Sequence, residues 1–540
     1  MIKITALIFF AFLLFSCSTP VSLRVPGQYK TIQGAINAAN AGDTIIIEAG
    51  TYFERIKLKE GVVLKSAGDD SKGKMGLLRA EKTIIDGSRS EKGIPGVEMS
   101  ENSVIDGFTI TGIGKYDEAR WQKHYKTKGE MQSHEHIGAP GVAGISARVN
   151  CAIKNNIVHH IGYTGIALMG EDCTASVTRN ICFRNMGGGI GSMQKSKAVI
   201  EQNICFENYY AGIGHDDASP KVLNNTCYGN IRAGIGISEG SSPFVSGNKC
   251  YKNRRAGIGI RTGADTKPLV EKNECYENGM AGIGVKDDAR PILKNNKCYR
   301  NELAGIGVQN NGQPQIIGNE CYENGMSGIG SMGSENLIIS KNFCHHNKTS
   351  GLGFSPTKNG KAEVSENRLI DNGSVAMGIQ SGWAINLSKN EFKRTGGMPP
   401  LVMVFKDSKA VFKDNIFTGG GVAALRLAGE ADLYNNTFTG NGPKKGGPPN
   451  FGIWALSGSK LLVNENSFSG WRHALHATES EVTASNNSVE KFLGAAIVTQ
   501  KPLKPVVLTG NKAISSDSGA VVIKADQPHG VVKDNILVRP

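Results

Sequence analysis

The amino-acid sequence predicts an all-β chain wound into a single right-handed parallel β-helix, with about 22–25 residues per coil and a helix capping the N-terminal end. The main observation is a repeat, N-x-C-aromatic-x-N-x-x-(A/G/S)-G-(I/L)-G, that starts at Asn180. This period and its short alternating strands are typical of one β-helix coil, whereas an α-solenoid needs two helices per repeat. Composition agrees, since the chain has 69 glycines and little helix-forming sequence. The repeat cysteines are Cys182, Cys205, Cys227, Cys250, Cys275, Cys298, Cys321 and Cys344.

The repeat continues on both sides of this run, with other apolar residues in the cysteine position. Ile157 takes that position before the run, with Asn155 as the first asparagine and His160 in place of the second. Because the position accepts large apolar residues, we expect it to face the core and the cysteines to be buried free thiols. Stacked asparagines can satisfy one another and the backbone, so their columns need no catalytic role. Later apolar residues in this position are Leu369, Phe392, Phe417, Phe438, Phe468, Val489 and Leu537.

The N-terminus has the pattern of an export signal. Lys3 precedes an apolar run too short to span a bilayer, and Leu14-Phe15-Ser16-Cys17 resembles the bacterial lipobox. That resemblance implies a signal peptide over 1–17, lipidation of Cys17, and a lipoprotein anchored at the outer membrane or cell surface. An ordinary signal peptide is the alternative, because Phe15 replaces the small residue usual there. The predicted organisation continues with a tether 18–26, a cap and first strand 27–60, irregular early coils 61–150 with an insertion 112–141, regular coils 151–355 and irregular C-terminal coils 356–540.

The start of the mature chain supports the same fold. Residues 31–39 have helical periodicity, and residues 44–48 follow as the first strand. This start resembles the N-terminal cap of the pectin-lyase-like β-helix superfamily, in which an amphipathic helix plugs the end of the core. The regular coils resemble the carbohydrate-binding and sugar-hydrolase β-helix repeat, seen also in NosD-type periplasmic proteins. The resemblance implies the fold but leaves the activity open, because that superfamily includes lyases, hydrolases, epimerases, esterases and non-enzymatic binders.

Two outward-facing columns are candidate contacts for a ligand. Since side chains alternate along a strand, the aromatic residue after each buried cysteine is expected to point outward. Tyrosines there can stack on sugar rings, or they can stack on each other and stiffen the sheet. Both glycines of the Gly-Ile-Gly strand are also expected to point outward, which would let a flat polymer approach the backbone. The ligand-binding candidates of the aromatic column are Tyr228, Tyr251, Tyr276 and Tyr299.

The insertion between Gly112 and Gly141 is the largest departure from the repeat, and it is rich in charged and aromatic residues. It ends just before a Gly-Ile strand, so we expect it to fold over the glycine face. Acid–base groups there would abstract the C5 proton of a uronate while a cation stabilises the carboxylate. A scatter of surface histidines on a basic loop is the alternative. The catalytic candidates are Lys123, His134, His136, His160, His215 and Arg148, and the ligand-binding candidates are Trp121, Tyr125, Asp216 and Asp217.

Metal ions are further candidate ligands of this region. Imidazole suits Zn²⁺ or Cu²⁺, and the candidate histidines are His134, His136 and His159. Carboxylates at Asp216 and Asp217 suit Ca²⁺, an ion that some lyases and epimerases of the resembled superfamily use. Of these ions, Ca²⁺ is preferred to Zn²⁺ or Cu²⁺.

The formal charge of +13 favours an acidic partner such as a uronate glycan. Nucleic acid is not expected, because the lysines and arginines are scattered rather than gathered in a stripe. We therefore predict an exported protein that engages acidic polysaccharide or another extended polymer, and the sequence leaves open whether it is catalytic. If it is an enzyme, a lyase or epimerase is expected rather than a glycoside hydrolase. The alternatives are a non-catalytic surface-binding module and a NosD-like periplasmic metal-associated protein. The final strand, 535–538, leaves an edge that could recruit another chain, and a partner, self-association or a buried terminus are the alternatives for covering it.

Overall fold

A computed structural model describes residues 20–70, 73–90, 93–130, 132, 142–526 and 530–540. Each coil contributes one short strand to each of three sheets, and strands of successive coils pair in parallel. The predicted all-β parallel solenoid is confirmed.

The glycine sheet contains the Gly-Ile-Gly strands of the repeat. Its strands are Ile56–Lys57, Val97–Glu98, Ile145–Ala147, Ile166–Met169, Ile190–Met193, Ile213–Asp216, Ile235–Ser238, Ile258–Ile260, Ile283–Val285, Ile306–Gln309, Ile329–Met332, Ser350–Phe354, Val375–Ile379, Val402–Val404, Ala423–Leu427, Phe451–Ala455, His473–Thr478, Ala495–Gln500 and Val521–Ala525.

The cysteine sheet contains the cysteine column of the repeat. Its strands are Gly50–Tyr52, Thr83–Asp86, Thr109–Thr111, Ile157–His159, Ile181–Phe183, Ile204–Phe206, Thr226–Tyr228, Lys249–Tyr251, Glu274–Tyr276, Lys297–Tyr299, Glu320–Tyr322, Phe343–His345, Arg368–Ile370, Glu391–Arg394, Ile416–Gly419, Thr437–Thr439, Ser467–Ser469, Ser488–Glu490, Lys512–Ile514 and Ile536–Val538.

The third sheet lies between the other two along each coil. Its strands are Ser22–Val25, Thr44–Ile47, Val63–Ser66, Val104–Asp106, Ala152–Lys154, Ser176–Thr178, Val199–Glu201, Lys221–Leu223, Phe244–Ser246, Leu269–Glu271, Ile292–Lys294, Gln315–Ile317, Asn336–Ser340, Gly360–Ser365, Trp383–Ser388, Lys409–Lys413, Glu430–Tyr434, Lys460–Asn464, Glu481–Ser485, Val506–Thr509 and Gly530–Lys533.

Helices are short and lie near the N-terminal end. Helix α1 spans Ile32–Ala38, α2 spans Leu78–Lys82 and α3 spans Glu118–Lys126, and a 3-10 turn spans Gly87–Arg89. The Thr31 hydroxyl caps α1 by accepting the Gly34 N–H at 3.1 Å. The apolar face of α1 is buried against the first strands, so this helix closes the end of the core. Its buried residues are Ile32, Ala35 and Ile36.

Two sequence expectations about the early coils are wrong. The predicted tether includes Ser22–Val25, which instead pairs in parallel with Thr44–Ile47 and so is the first strand. The predicted repeat register is also one residue out before Asn180, because Val158, not Ile157, pairs with Cys182. Asn156 is therefore the ladder asparagine. A shift of one residue exchanges the inner and outer faces of a strand, so His159 is the outward aromatic residue of its coil.

The cysteine column faces the core, as predicted. Successive cysteines are direct cross-strand partners, from the pair Cys182 and Cys205 to the pair Cys321 and Cys344. All ten cysteines of the described chain, Cys151 and Cys173 included, are buried free thiols.

Two asparagine columns flank the cysteine sheet and bind each coil to the next. Asn278 is fully buried, and its side-chain amide donates to the Cys250 carbonyl at 3.0 Å and to Asn301 Oδ1 at 2.9 Å. Its own Oδ1 accepts the main-chain and side-chain amides of Asn253 at 3.2 and 3.0 Å. Each amide therefore satisfies buried groups of both neighbouring coils, in agreement with the prediction.

Replacement of Asn278 by alanine is expected to lower the free energy of unfolding by about 2–3 kcal/mol, because it leaves buried donors and an acceptor without partners. Denaturant unfolding followed by circular dichroism measures this change. The matched control is Asn386→Ala, which removes an exposed strand asparagine bonded to Glu363 at 2.7 Å. The control is expected to change stability by less than about 0.5 kcal/mol. Equal losses in the two variants would contradict a structural role specific to the ladder.

Candidate functional site

An open groove of about 380 Å³ runs along the outside of the glycine sheet, across the strands of six successive coils. Its floor is the second glycine of each Gly-Ile-Gly strand, and we call it the glycine groove. A methyl group added to Gly214 would have no neighbour within 4 Å, and one added to Gly259 would meet only the Ala233 side chain, at 3.5 Å. The second glycine therefore faces outward as predicted. The floor glycines are Gly191, Gly214, Gly236, Gly259, Gly284 and Gly307.

The prediction that the first glycine also faces outward is wrong. A methyl group added to Gly257 would lie 2.6 Å from the Gly282 carbonyl oxygen and 2.9 Å from the Asn278 amide nitrogen. This glycine stands at the corner before the strand, where the asparagine ladder and the next coil press against it. It is required for coil packing rather than for a ligand.

Two columns of side chains wall the groove. The first wall is the residue two positions before the corner glycine of each coil. Tyr163 stands two coils before Tyr210, with Gly187 between them, and from Tyr210 to Leu303 successive members are joined by main-chain hydrogen bonds of 3.1–3.3 Å. The second wall follows the floor glycine by two residues. The first wall consists of Tyr163, Tyr210, Arg232, Arg255, Met280 and Leu303, and the second of Met193, Asp216, Ser238, Arg261, Lys286 and Gln309.

Positive charge concentrates in the middle of the groove. Burial, with smaller contributions from the neighbouring Arg255 and Arg261, lowers the pKa of Arg232 to about 10. Burial and Arg261 likewise lower the pKa of Arg255. Three guanidinium groups that repel one another give this part of the groove a positive potential, which attracts anions.

Acidic and phenolic groups lie beside this cluster. Burial, followed by the charges of Glu239 and Asp217, raises the pKa of Asp216. Burial raises the pKa of Tyr163 to about 12, with smaller contributions from Tyr210 and Asp216. Tyr163, Tyr210 and Asp216 therefore lie close enough together for the charges of Tyr210 and Asp216 to affect the pKa of Tyr163, and Tyr163 stays protonated at neutral pH.

The described part of the insertion lies beside the groove, not over it as expected. Helix α3 packs on the corner that precedes the first wall: Trp121 Nε1 donates to the Glu207 carbonyl at 2.8 Å, and the Arg184 guanidinium lies 3.8 Å from the Trp121 ring centroid. Arginines of the first wall hold the segment that follows. Arg232 donates to Gln132 Oε1 at 2.7 Å, and Arg255 donates to the Lys128 carbonyl at 2.9 Å and to the Gly129 carbonyl.

Most of the predicted site residues do not converge. The catalytic candidate His215 is fully buried on the core side of its strand, where burial lowers its pKa to about 3. The His160 ring packs edge-on against Tyr116 of the insertion, and its Nδ1 lies 2.7 Å from the Nδ1 of His159. Lys123 is exposed on α3, and Arg148 lies near Gln194 and Met169, before the first floor glycine. Of these candidates Asp216 and His215 border the groove, His215 with its side chain turned towards the core, and Asp217 is exposed beside it.

Two of the ligand-binding candidates, Trp121 and Tyr125, contribute to packing of the insertion rather than to the groove. Trp121 and Tyr125 stack on each other at 4.8 Å, and the Arg254 guanidinium lies 4.9 Å from the Tyr125 centroid, so both rings anchor α3. His134, His136 and Cys17 lie outside the described residues.

The tyrosine column forms a continuous stack from His159 to His345. Its ring centroids are 4.8–5.1 Å apart in the tyrosine part, with interplanar angles of 10° or less. Each ring face is therefore covered by the next ring, and only edges and hydroxyls reach solvent. Tyr228, Tyr251, Tyr276 and Tyr299 are in the arrangement that stiffens a sheet, which leaves no free ring face for a sugar.

The described residues offer no metal site of three or more histidine, cysteine or carboxylate side chains. Asp216 and Asp217 are therefore not part of such a group within the described chain. Of the histidines considered for Zn²⁺ or Cu²⁺, the described one, His159, is half-buried beside Phe183 and His160, and desolvation lowers its pKa to about 4. None of the described helices is long and apolar enough to cross a membrane.

The fold and repeat define a parallel β-helix protein with a groove along one sheet. The chain belongs to the family described as the right handed beta helix region, whose model matches residues 133–267, 233–397 and 379–537. No curated protein sequence matches it.

Several solved structures are similar at low identity. The periplasmic alginate epimerase AlgG is 13% identical over 69% of this chain and 84% of its own, with a TM-score of 0.35. The PL6 family alginate lyase AlyGC is 11% identical over 96% and 100%, with a TM-score of 0.39. The A-module of the Azotobacter vinelandii mannuronan C-5 epimerase AlgE6 is 14% identical over 80% and 93%, with a TM-score of 0.29.

An added methyl group is expected to destabilise the protein in one glycine column and to have little effect in the other. Gly257→Ala should lower the free energy of unfolding by about 1–3 kcal/mol, because the methyl group overlaps the next coil. Gly259→Ala, two residues further along the chain, should change it by less than about 0.5 kcal/mol. Urea midpoints of the two variants measure the difference. Similar losses at both positions would contradict an open floor.

Proposed function

We propose that this chain binds an acidic polysaccharide lengthwise in the glycine groove. The observation that carries the proposal is the meeting of a floor without side chains and a cluster of three arginines. Bare glycines let a flat sugar ring approach the backbone closely, and arginine is the cation best suited to carboxylates.

The length of the groove favours a polymer over a small molecule. Six floor glycines are separated by five coil spacings, and each spacing is about 4.8 Å, so the floor extends over about 24 Å. That length holds several sugar units in a row. The open ends allow a longer chain to continue past them.

Charge elsewhere on the regular coils is mostly paired, which singles out the groove. On the outside of the cysteine sheet, Lys297 lies 3.4 Å from Glu320 and Arg300 lies 2.7 Å from Glu323. Such ladders neutralise themselves and offer no basic stripe of the kind that nucleic acid needs. An acidic glycan in the groove is therefore the better match. Export and lipid anchoring at Cys17 are part of this proposal, since such polymers lie outside the cytoplasm.

Arg261→Gln is expected to weaken binding of a polyuronate about tenfold, because a hydrogen-bonded charge contributes about 1.5 kcal/mol at the low end. Arg261 is the preferred target, since Arg232 and Arg255 also hold the insertion. Titration calorimetry at two salt concentrations measures the affinity and its salt dependence. The control Arg368→Gln should leave the affinity unchanged. It removes an exposed arginine that pairs with Glu391 on the cysteine sheet, away from the groove.

A steric pair of variants checks the location independently of charge. Gly259→Leu fills the floor and should abolish measurable binding. Gly378→Leu makes the same change at the equivalent glycine of a later coil, outside the groove, and should not. Unchanged affinity in Gly259→Leu would place the polymer elsewhere.

A second candidate function is proton abstraction at C5 of the bound uronate, and the cluster of Asp216, Tyr163 and Tyr210 favours it. A carboxyl group with a raised pKa is a better base near neutral pH, while a phenol with a pKa of about 12 keeps its proton. In this proposal Asp216 removes the C5 proton while arginine compensates the substrate carboxylate. For epimerisation, Tyr163 donates its proton to the opposite face of C5, which inverts that carbon. For elimination, a C4=C5 double bond forms as the C4–O bond breaks, and Tyr163 donates its proton to the leaving oxygen.

Asp216→Asn is expected to lower turnover of polyuronates at least about 100-fold. Ultraviolet absorbance of unsaturated ends reports the lyase reaction, and deuterium incorporation at C5 from heavy water reports epimerisation. Asp414→Asn is the control and should retain full turnover, because this half-buried carboxylate, with φ 58°, lies on another part of the coil and accepts the Asn435 amide at 2.7 Å. Turnover that survives in Asp216→Asn would remove this residue from the chemistry; polymer binding without any turnover would leave a binding module.

A further inference from the structure

The first wall of the glycine groove changes character along the helix axis. Tyr210, Arg232 and Arg255 occupy it in three successive coils, and Met280 and Leu303 occupy it in the next two. The main-chain hydrogen bonds from Met280 to Arg255 and from Leu303 to Met280, both 3.2 Å, show that these residues hold one continuous column. The groove thus has a cationic half followed by a half in which this wall is apolar.

These apolar side chains are unusually exposed. Met280 is 41% exposed and Leu303 is 39% exposed, and Met326, in the following coil of the same column, is 47% exposed. Single exposed apolar residues need no explanation, but a contiguous row at the edge of a groove marks a contact surface. Methionine in particular adapts its shape to an apolar ligand group.

The opposite wall stays polar over the same coils. Arg261, Lys286 and Gln309 succeed one another there, and Lys286 Nζ lies 3.3 Å from Asp287 in a half-exposed pair. A ligand in this half of the groove therefore meets cationic and amide groups on one side and thioether and aliphatic groups on the other. The glycine floor separates them.

A pyranuronate ring lying flat on the floor has matching edges. Its carboxylate is carried by C5, and the hydroxyls of C2 and C3 lie on the opposite edge of the ring. When the carboxylate faces Arg261 and Lys286, the C2 and C3 positions face Met280 and Leu303. Free hydroxyls there would lose water without gaining a partner, whereas an O-acyl group has no donor to satisfy and buries a methyl group.

We infer that the glycine groove selects an acidic polysaccharide acylated at C2 or C3, with Met280 and Leu303 forming the acyl subsite. This inference rests on the proposed polysaccharide binding. An anionic lipid fits less well, because an acyl chain would be enclosed on one side only and would face Lys286 and Gln309 on the other.

The test compares one polyuronate in two forms, O-acetylated and deacetylated by mild base, by titration calorimetry with the full chain. The wild type is expected to bind the acetylated form about tenfold more tightly, which is the size of discrimination that one methylene-sized group gives in an apolar pocket. Met280→Gln with Leu303→Gln should remove this preference, so that the double variant binds the two forms with equal affinity. Met398→Gln, which changes a methionine 56% exposed outside the groove, should keep the preference.

Equal affinities of the wild type for the two forms, or tighter binding of the deacetylated form, would overturn the acyl subsite while leaving the polysaccharide proposal standing. Binding of neither form would remove both. Vesicles containing anionic phospholipid serve as a further probe: tight binding to them that is lost in Met280→Gln with Leu303→Gln would reassign the apolar wall to lipid. The wild-type comparison decides the question even where the double variant fails to fold.

Discussion

The buried asparagine ladder is the constraint on which the regular coils depend. Each ladder amide bonds to the coil before it and to the coil after it, as Asn278 does with Asn253 and Asn301. Buried polar groups are costly unless they are satisfied, so a coil that shifted by one residue would leave several of them without partners. The ladder therefore fixes the register of every strand it touches, and the thiol column and the tyrosine stack follow from that register.

A fixed register also builds the groove, because alternation along the strand assigns each position a direction. In the strand Ile258–Ile260 both isoleucines face the core, so Gly259 must face outward. Parallel stacking then repeats that bare position over successive coils, and the residues on either side become continuous walls. The ladder itself excludes a side chain at the corner glycine, as at Gly257, so two glycines with different causes stand two residues apart.

The repeat alone predicts the fold, the inward cysteines and the asparagine ladder, because a period of this length has few structural solutions. It fails where the period is interrupted: before Asn180 it predicts a register one residue early and puts His160 in the second asparagine position, where Ile161 stands. It also favours the tyrosine column over the first wall as the ligand contact. Arg232 and Arg255 stand in a variable position of the repeat, and their role shows only once Gly236 and Gly259 are known to be the floor between two walls. That they also hold a distant insertion depends on tertiary contacts, which no local pattern records.

The central claim is that the glycine groove is where this protein meets its ligand. A crystal structure of the chain with an oligouronate tests it most directly. The account predicts sugar rings lying flat over Gly236, Gly259 and Gly284, with carboxylates towards Arg261. Sugar bound on the tyrosine stack, or on α3 with the groove empty, would contradict it.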